Sequence, residues 1–451
     1  MPKQKSNFVC QNCGTSYAKW VGRCDNCGEW NSLVEQVAPT ESEKKFALAR
    51  GQVSGKKLKP TALNSIIPSD AKERLKTEFK DLNTVLGGGI LKGSVSLLVG
   101  QPGIGKSTIL MQICAYVART HKVLYVSGEE SAGQVKLRAT RLGAKSENLH
   151  FASSTSGNDI AKTTESAEYD LVIVDSIQTL AMDEISSAPG TVSQVTNCGN
   201  LIIRAAKATD TAVIIVGHVT KEGTLAGPKV LEHLVDVVIN FEGDRYGGFK
   251  TIRCIKNRFG STSEVAIFEM DDKGLREVQN PSAALLAERQ NTDGSIILAT
   301  TEGTRPILVE IQALVTRTNF GYPKRAASGF DLNRLQLLIA VIELRTKLKL
   351  DDKDIYINVV GGMKLKDSAA DLAVCLAIAS AAAGRKLSDG YVVFGEVGLG
   401  GEIRSAFRPD QRIAEAKKLG FQHAIAPATI KDPFVIPVKD LRTTLIKYVK
   451  D

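Results

Sequence analysis

Through the middle of the chain, apolar residues fall in short unbroken runs rather than in helical stripes. SVSLLVG (94–100), KVLYVSGEE (122–130), DLVIVDS (170–176) and TAVIIVGHV (211–219) are nearly all apolar. Runs of this kind predict parallel strands covered on both faces. Helical stretches separate them, so residues 63–278 are expected to form an α/β core. VVINFEG, FKTIRCIKN and EVAIFEM follow with Gly-rich turns between them and predict an antiparallel extension. A boundary is expected at 280–294, VQNPSAALLAERQNTDG (278–294) being the segment there. Beyond it SIILATTEG, ILVEIQALV, IYINVVG and YVVFGEVGL, with an Ala-rich helix from Ser368 to Ala383, predict a second α/β domain. Residues 38–60 are polar, rich in Gly, Pro and Lys, and without periodicity, as a linker would be. The expected organisation is a small module at 1–33, a linker at 34–60, a core at 61–280 and a further domain at 281–451.

Composition narrows the class. With 451 residues, 43% hydrophobic and 24% charged, the chain has material for two or three cores and is neither disordered nor collagen-like. No apolar stretch approaches the ~18 residues of a membrane span, and MPKQKSNFVC carries no apolar signal core. The net charge of +9 is uneven: residues 1–60 and 281–451 carry +5 each, and 61–280 carry −1. Basic flanks suit a polyanion such as DNA, although the same charge also serves solubility.

Four of the eight cysteines form two pairs, Cys10-x2-Cys13 and Cys24-x2-Cys27. Two such turns close a tetrahedral four-sulfur zinc site, which would fold the module and leave no open position for chemistry. A redox pair would sit beside a βαβ unit instead, and a disulfide is the other alternative. Thiolate ligands with scattered further thiols imply a reducing, cytoplasmic home. Tyr17, Trp20 and Trp30 are expected to pack about the metal, with a stacking surface as the alternative.

Gly100-Gln101-Pro102-Gly103-Ile104-Gly105-Lys106-Ser107, followed by Thr108, fits the G-x-x-x-x-G-K-[ST] loop between a predicted strand and a predicted helix. Loop amides and the helix N-terminus would wrap the phosphates of ATP, Lys106 would neutralise the β and γ phosphates, and Ser107 would ligate Mg2+. Asp175, ending LVIVD, is expected to reach the metal shell through water. Glu129 or Glu130, after VLYVSG, lies at the carboxyl edge where open sheets hold ligands, and one of them can polarise the attacking water. His218, ending VIIVG, is a candidate γ-phosphate sensor. The polar segment after it, with Lys221, is a candidate polymer contact.

Taken in order, the cysteine module, GQPGIGKST, LVIVDS, VGHVTKEG and Lys256-Asn257-Arg258-Phe259-Gly260 resemble the bacterial RadA (Sms) family of DNA repair proteins over essentially the whole chain. The resemblance implies an α/β fold with three parts: a zinc finger, a RecA-like ATPase core and a Lon-protease-like domain. It also implies an ATP-driven motor that unwinds DNA and migrates branches as a hexameric ring, with a RecA-type recombinase as partner. Matched residue by residue, Glu129 takes the catalytic glutamate's place, Asp175 the Walker-B aspartate's and His218 the sensor's. Lys256 and Arg258 match basic residues thought to reach a neighbouring subunit's ATP. In the Lon-like segment, Ala370 falls at the nucleophile's position, with Ser368 two residues earlier, and Asp410 at the lysine's. No Ser–Lys dyad is expected, and the domain reads as a ring scaffold and DNA surface with Arg317, Lys324, Arg325, Arg345 and Lys347 as contacts. A KaiC-like regulatory ATPase and a Lon-type protease are the alternative readings.

Overall fold

The computed structural model describes residues 6–10, 16–17, 19–25, 30–37, 62, 74–218, 229–243, 248–318 and 321–448. They belong to two compact units, residues 1–68 and 69–451. Among the described residues no helix is long and apolar enough to cross a membrane.

In the first unit β1 (Ser6–Cys10) pairs antiparallel with β2 (Ser16–Tyr17) and β3 (Leu33–Val37). So small a ribbon buries little: Cys10, Cys24 and Leu33 form its core, with Phe8, Tyr17 and Val21 against them. The Tyr17 hydroxyl touches Cys24 Sγ at 3.2 Å and accepts from the Asp25 amide at 2.8 Å. The expected packing of aromatics therefore holds for Tyr17 but not for Trp20 and Trp30, which are 55% and 67% exposed. Among the described residues of this unit, three short strands offer no second layer to cover an indole, and the Arg23 guanidinium lies over the Trp30 ring at 5.8 Å instead. Cys13 and Cys27 lie outside the described residues.

The second unit begins with a short ladder, β4 (Arg74–Leu75) with β5 (Ile90–Leu91). The large sheet follows: β6 (Val95–Gly100), β7 (Val123–Ser127), β8 (Leu149–Ser153), β9 (Leu171–Asp175), β10 (Ala212–His218), β11 (Val237–Gly243), β12 (Lys250–Asn257), β13 (Val265–Asp271) and β14 (Gly274–Glu277), in the order β14-β13-β12-β11-β6-β10-β9-β7-β8. Pairings from β11 to β8 are parallel, and those from β11 out to β14 are antiparallel. Alternate side chains of the central strands feed two separate cores. Val95, Leu97 and Val99 of β6 join Val213 and Ile215 of β10 in one core, while Leu98 joins Ile214 and Val216 in the other. Burial on both faces is why these runs are nearly all apolar. β8 is not among the runs anticipated from sequence, because it is an edge strand whose side chains are half-buried or exposed.

A second sheet comprises β15 (Ser295–Glu302), β16 (Arg305–Arg317), β17 (Arg325–Ser328), β18 (Lys353–Val359), β19 (Tyr391–Val393), β22 (His423–Pro427) and β23 (Val435–Val438), with β20 (Glu396–Val397) and β21 (Ile403–Arg404) forming a separate ladder. Its Ala-rich helix runs Ala370–Ala383, two residues shorter than expected at its start, and every side chain from Ala370 to Ser380 is buried. Arg253 bridges the two sheets, pairing with Glu242 at 2.5 Å and with Glu302 at 3.0 Å.

Arg412 is fully buried in this second domain. Its guanidinium donates to Ala299 O at 2.6 Å, Phe407 O at 3.0 Å and Thr301 Oγ1 at 3.3 Å, and pairs with Asp367 at 2.7 Å. Removing one partner of a buried pair strands the other charge, so Arg412→Ala should destabilise the unit by about 3–5 kcal/mol. Urea unfolding followed by circular dichroism would measure it. A shift in midpoint no larger than that of an exposed control, Arg442→Ala, would show that the pair does not support the domain.

Candidate nucleotide site

β6 ends at Gly100, and a Cβ there would stand 2.6 Å from the Phe241 carbonyl, so the loop leaves the sheet through a gap only glycine fits. The turn closes at Gly105, whose φ of 117° lies in the region that favours glycine, and the helix Lys106–Val117 starts immediately after it. Gln101, Pro102 and Gly103 stay exposed, which leaves the amide-lined face of the loop accessible. Ile104 instead turns into the core and anchors the loop.

Lys106 is buried, with its ammonium donating to Gly100 O at 2.8 Å and Gln101 O at 3.1 Å. Burial pulls its pKa down to about 8, against the opposing pull of Asp175 and Glu129. The Ser107 hydroxyl donates to Asp175 Oδ2 at 2.8 Å. A hydroxyl and a carboxylate in contact at the head of a phosphate loop are oxygen donors that could hold a hard divalent cation.

Parallel register brings the other candidates to the same edge. His218 of β10 lies beside Gly100, and Ser127 of β7 lies beside Asp175 of β9. Glu129 Oε1 accepts from the Ser176 hydroxyl at 2.6 Å and stands 3.5 Å from His218 Nε2, too far for a firm hydrogen bond. Both His218 ring nitrogens are therefore buried without a partner, and burial, assisted by Lys106, lowers its pKa. Glu130 turns away to pair with Arg138. Of the two adjacent glutamates, only Glu129 faces Ser176 and His218.

Three further groups at this site escaped the sequence reading. Tyr125, buried in β7, donates its hydroxyl to Asp175 Oδ2 at 2.6 Å, so two donors hold the same oxygen. Its position within an apolar run read simply as core. Ser176 orients Glu129. Gln178, on the turn after β9, donates to His218 O at 3.5 Å and leaves its own Oε1 buried without a partner. None of the three has a spacing signal of its own.

Lys256 and Arg258 lie at the opposite end of the sheet. Val237 of β11 is level with Ser96 and Asn257, whereas Phe241 is level with Gly100. Four residues of strand, about 13 Å, separate those levels. Lys256 donates to Glu232 O at 2.7 Å, His233 O at 3.2 Å and Val235 O at 2.8 Å. Arg258 pairs with Asp236 at 3.0 Å and is half exposed.

In the second domain Ala370 opens a buried helix, and the Ser368 hydroxyl donates to Glu396 at 2.9 Å, a carboxylate rather than an amine. Asp410 is exposed in the first turn of the helix Pro409–Lys418. Arg317 is 82% exposed, 3.7 Å from Asp352, and Lys324 lies 5.8 Å over the Tyr356 ring. Arg325 is committed to the carbonyls of Leu350 and Lys353, and Arg345 to that of Leu399. Lys347 caps the helix Leu332–Thr346 with a left-handed backbone. Lys221 lies outside the described residues.

Known family models match three segments of the chain. A model described as rubredoxin metal binding domain matches residues 8–35, one described as AAA domain matches 62–224, and one described as subunit ChlI of Mg-chelatase matches 333–430. The chain thus combines a metal-binding ribbon, a RecA-like AAA ATPase core and a C-terminal Lon-like domain, all within a mixed α/β architecture. The DNA repair protein RadA of Bacillus subtilis (strain 168) is 47% identical, with 97% of this chain and 95% of that protein aligned. Those of Halalkalibacterium halodurans and Aquifex aeolicus are 46% and 45% identical, over 97% and 96% of this chain and 95% of each relative. Among solved structures, the crystal structure of the RadB recombinase aligns with 46% of this chain at 20% identity and a TM-score of 0.37, all of that chain being covered; this is too low to inform the fold. With nearly half its residues identical over almost the full length of these relatives, the chain belongs to the bacterial DNA repair protein RadA family.

Proposed function

We propose that the protein is an ATP-driven DNA motor that acts on branched recombination intermediates as a hexameric ring in the cytoplasm, with a recombinase of RecA type as partner. The observation that carries this reading is the division of the site between two ends of one sheet. Lys106, Glu129, Asp175 and His218 converge at the carboxyl edge, while Arg258 stands about 13 Å away along the strands, too far to serve its own nucleotide. A site lacking its arginine in one subunit is completed by the next, and head-to-tail pairs close into rings.

In this reading Gly100, Gln101, Pro102, Gly103, Ile104 and Gly105 shape the phosphate cradle, and Lys106 leaves its two carbonyls for the β and γ phosphates. Ser107 and Asp175 would hold Mg2+, which would neutralise charge on the transferring phosphoryl group; Thr108 follows in the cradle. Glu129, aligned by Ser176, accepts the proton of the attacking water. His218 meets the γ-phosphate with its unpartnered ring. Arg258 reaches the neighbour's ATP, and Lys256 joins it by exchanging carbonyls for phosphate oxygens. The ribbon metal is proposed to be zinc on Cys10, Cys13, Cys24 and Cys27; Cys10 and Cys24 fit that role by sharing one buried core. DNA contacts are proposed at Lys221, Arg317, Lys324, Arg325, Arg345 and Lys347. Arg317 and Lys324 are the better placed, because Arg325 and Arg345 are engaged by backbone carbonyls. With Ala370 and Asp410 where a dyad would stand, protease activity is proposed to be absent.

Lys106→Ala should abolish ATP hydrolysis and with it strand displacement on forked or three-stranded DNA. Wild-type protein that displaces no strand with ATP would refute the motor. Arg258→Ala and, to a smaller degree, Lys256→Ala should lower kcat, the former by roughly 10^3-fold, while equilibrium binding of an ATP analogue stays intact. Loss of that binding would remove the trans assignment. Polyphosphate needs the charged ammonium, and bound phosphates raise the Lys106 pKa above its free value of about 8. Metal-free nucleotide affinity should therefore be flat below pH 8 and weaken as pH rises through it. Lys106→Arg should flatten the profile, since arginine stays charged. A wild-type profile already flat from pH 7 to 9.5 would contradict this.

A further inference from the structure

Away from the nucleotide edge, one buried carboxylate stands where the proposed trans-acting arginine is anchored. Asp236 is 3% exposed and immediately precedes β11. Its amide donates to Val95 O at 2.9 Å, and the Val95 amide donates to its Oδ2 at 3.1 Å, so the residue is clamped to the first position of β6. Oδ1 accepts from Arg258 Nη1 at 3.0 Å and from Lys207 Nζ at 3.3 Å. The Arg258 amide also donates to Asp236 O at 3.2 Å. A carboxylate with both oxygens engaged and no room to swing sets the root of the guanidinium it holds. Lys256 braces the same point, because the carbonyls of Glu232, His233 and Val235 lead directly into Asp236.

We infer that Asp236 is a positioning residue for Arg258, tying the arginine that serves a neighbour's ATP to the strand whose other end is the subunit's own P-loop. The inference rests on the trans role given to Arg258 above and extends it. β6 is six residues long and hydrogen bonded on both sides, so its two ends move together. Occupancy of one nucleotide site then bears on the next through a single strand and Asp236. The carboxylate itself touches no nucleotide.

The test is complementation between full-length subunits. Asp236→Asn alone should lower kcat on the order of 10^2-fold by misplacing the guanidinium, with KM and ATP-analogue affinity unchanged. Mixed one to one with Lys106→Ala, which hydrolyses nothing but keeps Asp236 and Arg258, it should regain roughly a quarter of wild-type turnover from randomly formed interfaces. A purely structural defect in the Asp236→Asn subunit would not be repaired by its neighbour. Arg258→Ala mixed with Lys106→Ala is run in parallel. If that pair recovers and the Asp236→Asn pair does not, Asp236 has no positioning role although Arg258 acts in trans. If neither pair recovers, the trans reading falls and the inference with it. An Asp236→Asn variant with wild-type turnover overturns the inference outright. Should the amide variant fail to fold, Asp236→Glu, which shifts the carboxylate by one methylene, takes its place in the same mixture, with the same outcomes decisive.

Discussion

Strand Val95–Gly100 is hydrogen bonded by parallel neighbours on both sides and sends alternate side chains into two apolar cores. Nothing in it can slide without breaking a ladder and emptying a packed face, and a one-residue slip would exchange the two cores. That rigidity is what the chemistry draws on. The phosphate loop leaves one end at a set angle through Gly100 and Gly105, while Asp236 grips the other end at Val95. Neighbouring strands are held in register against the same reference, which is how residues more than a hundred positions apart, Lys106 and His218, come to one edge.

At that edge, small polar contacts separate groups that look alike. Asp175 Oδ2 takes hydrogen bonds from both Ser107 and Tyr125, which fixes the orientation of the carboxylate. Glu129 and Glu130 are adjacent on one turn, yet Arg138 takes up Glu130 and Ser176 aligns Glu129. The second domain spends its buried charges differently. Arg412 with Asp367, and Arg334 with Asp371, close polar gaps inside the fold. Ala370 is a buried apolar position at the start of its helix, whereas Asp410 is exposed.

Much of the large sheet was legible because a parallel strand covered on both faces must be nearly all apolar. β8 was not, since its side chains are only half-buried at the sheet edge and impose no such pattern. Trp20 and Trp30 ran against expectation because, among the described residues, the ribbon's three strands supply no layer to bury them.

The sequence by itself determined the motifs carried by a few consecutive residues: the glycine spacing of the phosphate loop, the paired cysteines and the carboxylate ending an apolar strand. Each of these needs only a few consecutive residues to take its shape. Tertiary structure decided everything that depends on which strands are neighbours. It set Glu129 against Ser176 and Glu130 against Arg138, turned Tyr125 from core filler into a hydrogen-bond donor, and set Arg258 with Asp236 at the far end from its own phosphate loop. Those outcomes follow from strand order and register, quantities set by the packing of the whole sheet and carried by no single segment.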